Sequence, residues 1–522
     1  MSLTSAVEQT RESIDKKLNS GTRSELGQFM TNWKIAKFMA GLMNLKATAS
    51  EAKSLIRILD PGAGIGSLSA ALVQQIVLAV GKTVPIIVDA YEIDETMRIG
   101  LSEVGEKLRK ELGCRHNIHS EDFVEAAVSN LVPTLGSNQP LHEDYDLVIL
   151  NPPYKKISSN SKHRLRLREA SIETTNLYTA FWQLSIELAK PGSQICAIVP
   201  RSFCNGSYFK RFRQFLKKSC VIKQIHVFDS RKDAFSDNKV LQENVIVYTQ
   251  KLSSTVEYSE SVIISRSSDD TFNDLNSVTL KSSQIWGDSP DNFLFVPTSQ
   301  ESLEVIKTIN SLPCTLLDLG LSVSTGPVVQ FRLRSSLSTS VGVPMLYCSS
   351  MSHGIAEQNL DNKKCPPYID INDKSLKWLV KDLRYLIIRR FSSKEEKRRI
   401  VCAVYLPQRN NNNSSLLGID NKLNYIYSFE EEFDAETLYG MYVFLSCSLV
   451  DKYYRLVSGH TQVNSGDLRT LKYPTVSQLK RVGSDFMETF SSSQKSIDAA
   501  ASEFFGDDSF GKANYPELPL TS

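Results

Sequence analysis

Four consecutive residues, Asn151-Pro152-Pro153-Tyr154, carry the densest chemistry in the sequence. They follow an apolar run, Asp146 to Leu150. Two prolines end a strand and fix the backbone beyond it. The Asn151 side-chain oxygen and the Pro152 carbonyl can then stand as paired acceptors, and Tyr154 offers a flat ring. Two acceptors beside a stacking surface suit a planar group bearing NH₂. A plain strand-ending turn is the other reading, and the features upstream weigh against it.

Upstream, Asp60-Pro61-Gly62-Ala63-Gly64-Ile65-Gly66-Ser67 joins a short apolar run to a helical pattern. Glycines let a backbone turn tightly and approach a ligand without a Cβ in the way. The spacing is G-x-G-x-G, not the G-x-G-x-x-G of dinucleotide sites. No Gly-Lys-Ser/Thr follows, which argues against a phosphate loop. Asp60 would repel a pyrophosphate but suits a ligand carrying a positive amino group. Glu92 closes the next apolar run, where a carboxylate can accept both hydroxyls of a ribose. Asp122 falls one unit later and can accept an exocyclic adenine amine, with Phe123 beside the ring. Each acid taken singly reads equally well as a cap or turn residue. Their even spacing points to a nucleoside-type cofactor.

Strands must place these groups. Between about Ser54 and Gln250, Val/Ile/Leu runs alternate with helical patterns: Ile56–Leu59, Pro85–Tyr91, Asp146–Leu150, Gln194–Val199, Ile222–Phe228 and Asn244–Tyr248. Such runs predict an α/β fold with a mostly parallel sheet covered on both faces. Ligands of such sheets bind at the carboxyl ends of strands, where the motifs fall. After about Leu252 the rhythm is lost, and a mixed α+β second domain is expected. The boundary is expected within residues 252–300. The reading divides the chain into an extension at 1–20, a catalytic domain at 21–260, a second domain at 261–505 and a tail at 506–522. Asn410 to Asn413 reads as an exposed loop.

The 522 residues are 41% hydrophobic and 23% charged, which excludes fibrous and wholly disordered classes. The net charge of +2 excludes a uniformly basic surface. Nine cysteines without a C-x-x-C pair read as reduced core residues. Met1 to Ser20 lacks an apolar stretch, and the run Leu438 to Val450 is too short to span a bilayer, which takes ~20 residues. A cytoplasmic protein is expected. Lys155, Lys156, Lys162, Arg164, Arg166 and Arg168 make the segment after Tyr154 basic, which suits phosphate contact or a solvated helix. Arg201, Lys210, Arg211 and Arg213 form a second basic cluster. Lys394, Lys397, Arg398 and Arg399 alternate with Glu395 and Glu396 and read as a solvated helix.

These motifs, in this order, resemble the N6-adenine DNA methyltransferases of gamma type found in type II restriction–modification systems. The resemblance rests on Gly27-Gln28-Phe29-Met30-Thr31 with Ile35 to Met39, on Asp60 to Gly66, and on Asn151 to Tyr154. It covers about Gly21 to Gln250, with looser likeness at Ser458 to Asn464 and Asp467 to Arg469. It implies a Rossmann-like catalytic domain that uses S-adenosyl-L-methionine (AdoMet) and no metal. It places Gln28, Phe29 and Thr31 at the methionine end of AdoMet. Asp60, Gly62, Gly64, Glu92, Asp122, Phe123 and Asn151 complete the cofactor site. Asn151, Pro152, Pro153 and Tyr154 become catalytic, with Phe235 as a second stacking ring about a flipped adenine; Phe235 as a core aromatic is the alternative. The C-terminal half becomes a target-recognition domain for double-stranded DNA, with a cognate restriction endonuclease as a further partner. A protein glutamine-N5 methyltransferase would share the glycine loop and N-P-P-Y but is usually much shorter, and an RNA adenine methyltransferase meets the same objection. Only about 20 residues precede the N-terminal motif, too few for a fused nuclease. A catalytically idle DNA-binding protein would not need Asn151 and Tyr154.

Overall fold

The computed structural model describes residues 2–17, 30–51, 55–132, 145–229, 243–253, 261–287, 291–360, 365–392, 396–407, 415–430, 432–458 and 461–505. The chain divides into two compact units, one ending at Ser299 and the other beginning at Gln300.

The first unit is built on nine strands: β1 (Ile56–Pro61), β2 (Ile86–Tyr91), β3 (Arg115–His119), β4 (Tyr145–Leu150), β5 (Ala189–Pro200), β6 (Cys220–Phe228), β7 (Asn244–Lys251), β8 (Ser261–Ser267) and β9 (Asn276–Lys281). They form one sheet in the order β3-β2-β1-β4-β5-β7-β6-β8-β9. The first five are mutually parallel, and β7 runs antiparallel to β5 and β6. Ile56, Ile58, Leu59 and Leu147 to Leu150 are completely buried. That burial explains why their runs are continuous instead of alternating.

The described helices of this unit include α1 (Leu3–Lys17), α2 (Trp33–Gly41), α3 (Leu45–Glu51), α4 (Ser67–Val80), α5 (Glu95–Leu112), α6 (Phe123–Leu131), α7 (Lys162–Glu169), α8 (Leu177–Leu188) and α9 (Lys210–Ser219). α4 is apolar nearly all round and buries Leu68, Leu72, Val73 and Ile76, because it lies between the sheet and α2. α5 is amphipathic. Asp94 caps its first turn through Met97 N, Arg109 and Lys110 sit in its last, and Gly113 at φ +73° ends it.

From β1 the chain steps outward through β2 to β3, then returns across β1 to β4 and β5. The crevice at this reversal opens at the carboxyl ends of β1 and β4. Pro61 ends one and Leu150 the other. The glycine loop and the Asn-Pro-Pro-Tyr motif are therefore neighbours by topology. β8 and β9, beyond residue 260, extend this sheet at its far edge.

The second unit holds a six-stranded and a five-stranded sheet with helices at Ala435–Ser446, Ser448–Val457, Val476–Glu488 and Gln494–Phe505. The expected mixed α+β texture is what forms. One sequence expectation fails here. Residues 396–400 are not helical, and Arg399 is buried, not solvated. Its Nε donates to Ser392 Oγ at 3.1 Å, its backbone N–H donates to Asp451 at 2.7 Å, and it stacks over Tyr454. Asn410 to Asn413 and residues 506–522 lie outside the described residues. Six of the nine cysteines are buried and all nine are free thiols. Among the described residues no helix is long and apolar enough to cross a membrane.

Candidate active site

The Gly62 and Ala63 amides both donate to Tyr91 O at 2.9 Å, tying the glycine loop to the end of β2. Gly62 and Gly64 hold φ of +75° and +58°, a conformation that favours glycine. A Cβ on Gly62 would lie 3.6 Å from Phe181 Cε1 and 3.8 Å from both Asn151 O and Pro153 Cδ. The loop therefore rests directly against the start of the Asn-Pro-Pro-Tyr motif. A Cβ on Gly64 would meet nothing within 4 Å, so its backbone faces open space. The Gly64 amide donates to Glu92 Oε2 at 2.9 Å, and Glu92 Oε1 accepts from Asp94 N at 2.8 Å. Burial pushes the Glu92 carboxyl above its ordinary range, against those two backbone bonds. Each carboxylate oxygen can still accept from a hydroxyl.

A cavity of about 340 Å³ opens over this loop, a size that suits a small-molecule ligand. Thr31, Gly62, Gly64, Glu92, Asp122, Phe123, Asn151 and Pro153, all expected from the sequence, line it together. Pro152 and Tyr154, also expected, are not among the lining residues. Gln28, Phe29 and Phe235 lie outside the described residues.

Asp60 stands apart. It is completely buried, does not line the cavity, and accepts from Ser69 N at 3.2 Å through Oδ2. Its Oδ1 has no hydrogen-bond partner among the described residues. The acid fastens the first turn of α4 in place of meeting a ligand's amino group. Burial raises its pKa from 3.8 to about 7, opposed by the Ser69 bonds and aided by Glu92. The folded chain thus keeps a proton that the unfolded chain releases, and stability falls as pH rises from 3.8 to about 7, then levels off. Between pH 6 and 8 the loss is about 1 kcal/mol. Asp60→Asn should flatten that part of the dependence of melting temperature on pH; an unchanged slope in calorimetry would refute the assignment.

Asp122 caps α6, with Oδ1 accepting from Val124 N at 2.9 Å and Glu125 N at 3.3 Å. Its Oδ2 meets His163 Nε2 at 2.9 Å. Burial would raise this acid, but the His163 and backbone bonds outweigh it and hold the carboxyl below its usual range. Phe123 packs against Tyr91 and Phe181 at centroid distances of 5.2 and 5.0 Å. His163 and Phe181 also line the cavity, from α7 and α8. The sequence reading passed over both, because neither belongs to a motif. A helical pattern beginning at Leu177 is the only hint that Phe181 faces inward.

At the motif, Asn151 Nδ2 donates to Thr31 Oγ1 at 2.9 Å. The N-terminal segment thereby touches the candidate catalytic side chain. The Tyr154 hydroxyl lies 3.0 Å from Asn151 Oδ1 and 3.1 Å from Ile198 O, and its single proton serves one of them at a time. Burial pushes this phenol well above its ordinary range. The Tyr154 ring meets Tyr178 edge-on at 6.3 Å. Asn151 is thus held at both amide atoms, Nδ2 by Thr31 and Oδ1 by Tyr154.

The basic residues divide by partner. Lys162 and Arg166 pair with Glu125, and Arg164 donates to Thr174 O. Lys155 and Lys156 are exposed and meet no carboxylate among the described residues. In the second cluster Lys210 pairs with Asp291 and the exposed Arg211 with Glu173, while the other two arginines are internal. Arg201 pairs with Glu243 at 2.8 Å, both buried, and Arg213 is wholly buried. The described residues hold no cluster of metal-ligating side chains.

A family model described as Eco57I restriction-modification methylase matches residues 99–235. Type II methyltransferase M.PstI of Providencia stuartii is 36% identical over 501 residues, covering 94% of this chain and 95% of that protein. Type II methyltransferase M.BsuBI of Bacillus subtilis is 38% identical over 508 residues, covering 96% and 98%. Among solved structures, a DrdV–DNA complex superposes with a TM-score of 0.51 over 92% of this chain and 59% of that chain, at 13% identity. That last likeness is one of fold.

Proposed function

The chain belongs to the type II methyltransferases of restriction–modification systems, and from that premise we propose that it transfers the AdoMet methyl group to N6 of a flipped-out adenine in double-stranded DNA. Methylating DNA to protect the host follows from the family; the base, the atom and the donor are this reading's own. The observation that carries it is the Asn151 amide, clamped by Thr31 and Tyr154 at the carboxyl end of β4.

The cavity suits AdoMet in its donor set. Glu92 has lone pairs for ribose hydroxyls, Phe123 gives an apolar wall for adenine, and Gly64 leaves room for the ligand. When bound, AdoMet supplies an electrophilic methyl group on its sulfonium. The chain's residues do the rest by position. Adenine N6 is a poor nucleophile because its lone pair is delocalised into the ring. Asn151 Oδ1 and the Pro152 carbonyl accept from the N6 amine and draw it toward a tetrahedral nitrogen, aiming the lone pair. Alignment of this kind supplies ~7–11 kcal/mol of a barrier. A stacked base cannot reach such a pocket, so extrusion is needed, at a few kcal/mol. Tyr154, and Phe235 as the second ring, offer faces to hold the extruded base. Lys155 and Lys156 stand ready for backbone phosphates.

The second unit supplies target recognition, and a cognate endonuclease would act on the same site. The enzyme works where the chromosome is, in the cytoplasm. The test is incubation with AdoMet labelled in its methyl group, with unmethylated DNA and a ribosomal or release-factor protein offered together. Label should enter the DNA. Label confined to the protein would overturn the reading in favour of glutamine methylation.

A further inference from the structure

β5 runs parallel to β4, with Leu150 in register with Ala197. The chain leaving β5 at Pro200 therefore emerges on the same sheet edge as Asn151. It turns through Arg201–Cys204, then through Ser207–Phe209. Tyr208 in the second turn is 75% exposed, unusual for so large a ring. It makes no hydrogen bond or ring contact among the described residues.

The turn around it is built to be rigid. Arg213 is completely buried. Its Nη1 donates to Phe203 O at 2.9 Å and to Gly206 O at 2.8 Å, while Nε and Nη2 donate to Asp291 O at 3.0 and 2.8 Å. A buried guanidinium is costly unless its donors are met, and here they are used to pin the carbonyls of this turn. Phe209 is buried against Tyr178, which in turn edges Tyr154. The neighbours of Tyr208 are thus fixed inward and its ring is held outward. Lys155 and Lys156, just after the motif that ends β4, are exposed and meet no carboxylate among the described residues, which makes them complementary to a phosphate backbone.

We propose that Tyr208 contacts the target duplex, stacking on a base at the methylation site. A rigid exposed aromatic on the strand-end edge that carries Asn151, one residue from the Phe209–Tyr178–Tyr154 ring chain, is suited to occupy unstacked space in the helix. The inference rests on the proposed adenine chemistry only for its position relative to the extruded base; that the chain acts on DNA follows from the family.

The test uses the full chain saturated with S-adenosylhomocysteine and a duplex carrying the methylation site, with 2-aminopurine at the target adenine. Tyr208→Ala should weaken duplex affinity about 5- to 150-fold and lower the 2-aminopurine signal. Tyr208→Phe should restore both, while melting temperature and S-adenosylhomocysteine affinity stay at wild type. Wild-type duplex affinity in Tyr208→Ala would overturn the proposal. A wild-type enzyme that gives no 2-aminopurine rise would instead overturn base extrusion, leaving Tyr208 to be judged by the affinity loss.

Discussion

Replacing Asn151 with Ala should lower kcat for methyl transfer by about 10³-fold or more, with KM for DNA and affinity for S-adenosylhomocysteine little changed. A single well-placed polar group in an active site is worth about 10²–10³ in kcat. Here the alignment of the nucleophile depends on that group as well. The Asn151 amide meets Thr31 through Nδ2 and Tyr154 through Oδ1, and no other side-chain acceptor in the motif can take its place. An effect on kcat without one on KM marks an interaction made in the transition state. Thr31→Ala leaves the acceptor in place but loosens its aim, so a smaller loss is expected. Single-turnover rates with labelled AdoMet check both. An Asn151→Ala enzyme that keeps its rate would remove the motif from the chemistry.

The second large effect concerns the fold of the C-terminal unit. Gly483 lies on the helix Val476–Glu488, and a Cβ there would fall on the carbonyl oxygen of Glu436 and lie 2.7 Å from Gly440 N. A Cβ on Gly440 would likewise fall on Leu479 O. Both obstacles are backbone, so only separation of the helices Ala435–Ser446 and Val476–Glu488 makes room. Leu438, Met441, Leu479, Val482 and Phe486 are buried on these helices and would lose packing. Gly483→Ala gains about 1 kcal/mol in helix propensity but should lose about 3 kcal/mol or more overall by overpacking. In calorimetry that is a fall of roughly 6–12 °C in the melting of this unit. Gly41→Ala, in the helix Trp33–Gly41 where a Cβ meets nothing within 4 Å, serves as the control and should leave melting unchanged or raise it slightly. Equal melting of Gly483→Ala and wild type would refute the close crossing.

Much of the first unit was legible because its signals are local. Proline and glycine restrict or free the backbone wherever they stand, so the motif at Asn151 and the loop at Gly62 announce themselves. Strands buried on both faces read as continuous apolar runs. What escaped depends on distant partners. Asp60 looks like a ligand-facing acid in one dimension, yet it is turned under α4, where Ser69 N meets it. Arg201 and Arg213 look like a basic patch because their partners, Glu243 and the Asp291 carbonyl, lie 42 and 78 residues away. His163 and Phe181 enter the cavity from helices that no motif marks. β9 alternates polar and apolar residues as an edge strand with one face in water, so the sheet continues where the sequence texture already looks irregular.

The central claim is that the acceptors of the Asn151 motif present an adenine amine to the methyl donor. The most direct measurement is nucleoside mass spectrometry on unmethylated genomic DNA treated with the enzyme and AdoMet deuterated in its methyl group. Deuterated N6-methyladenine as the sole product is the predicted result. Deuterated 5-methylcytosine or N4-methylcytosine in its place would contradict the account.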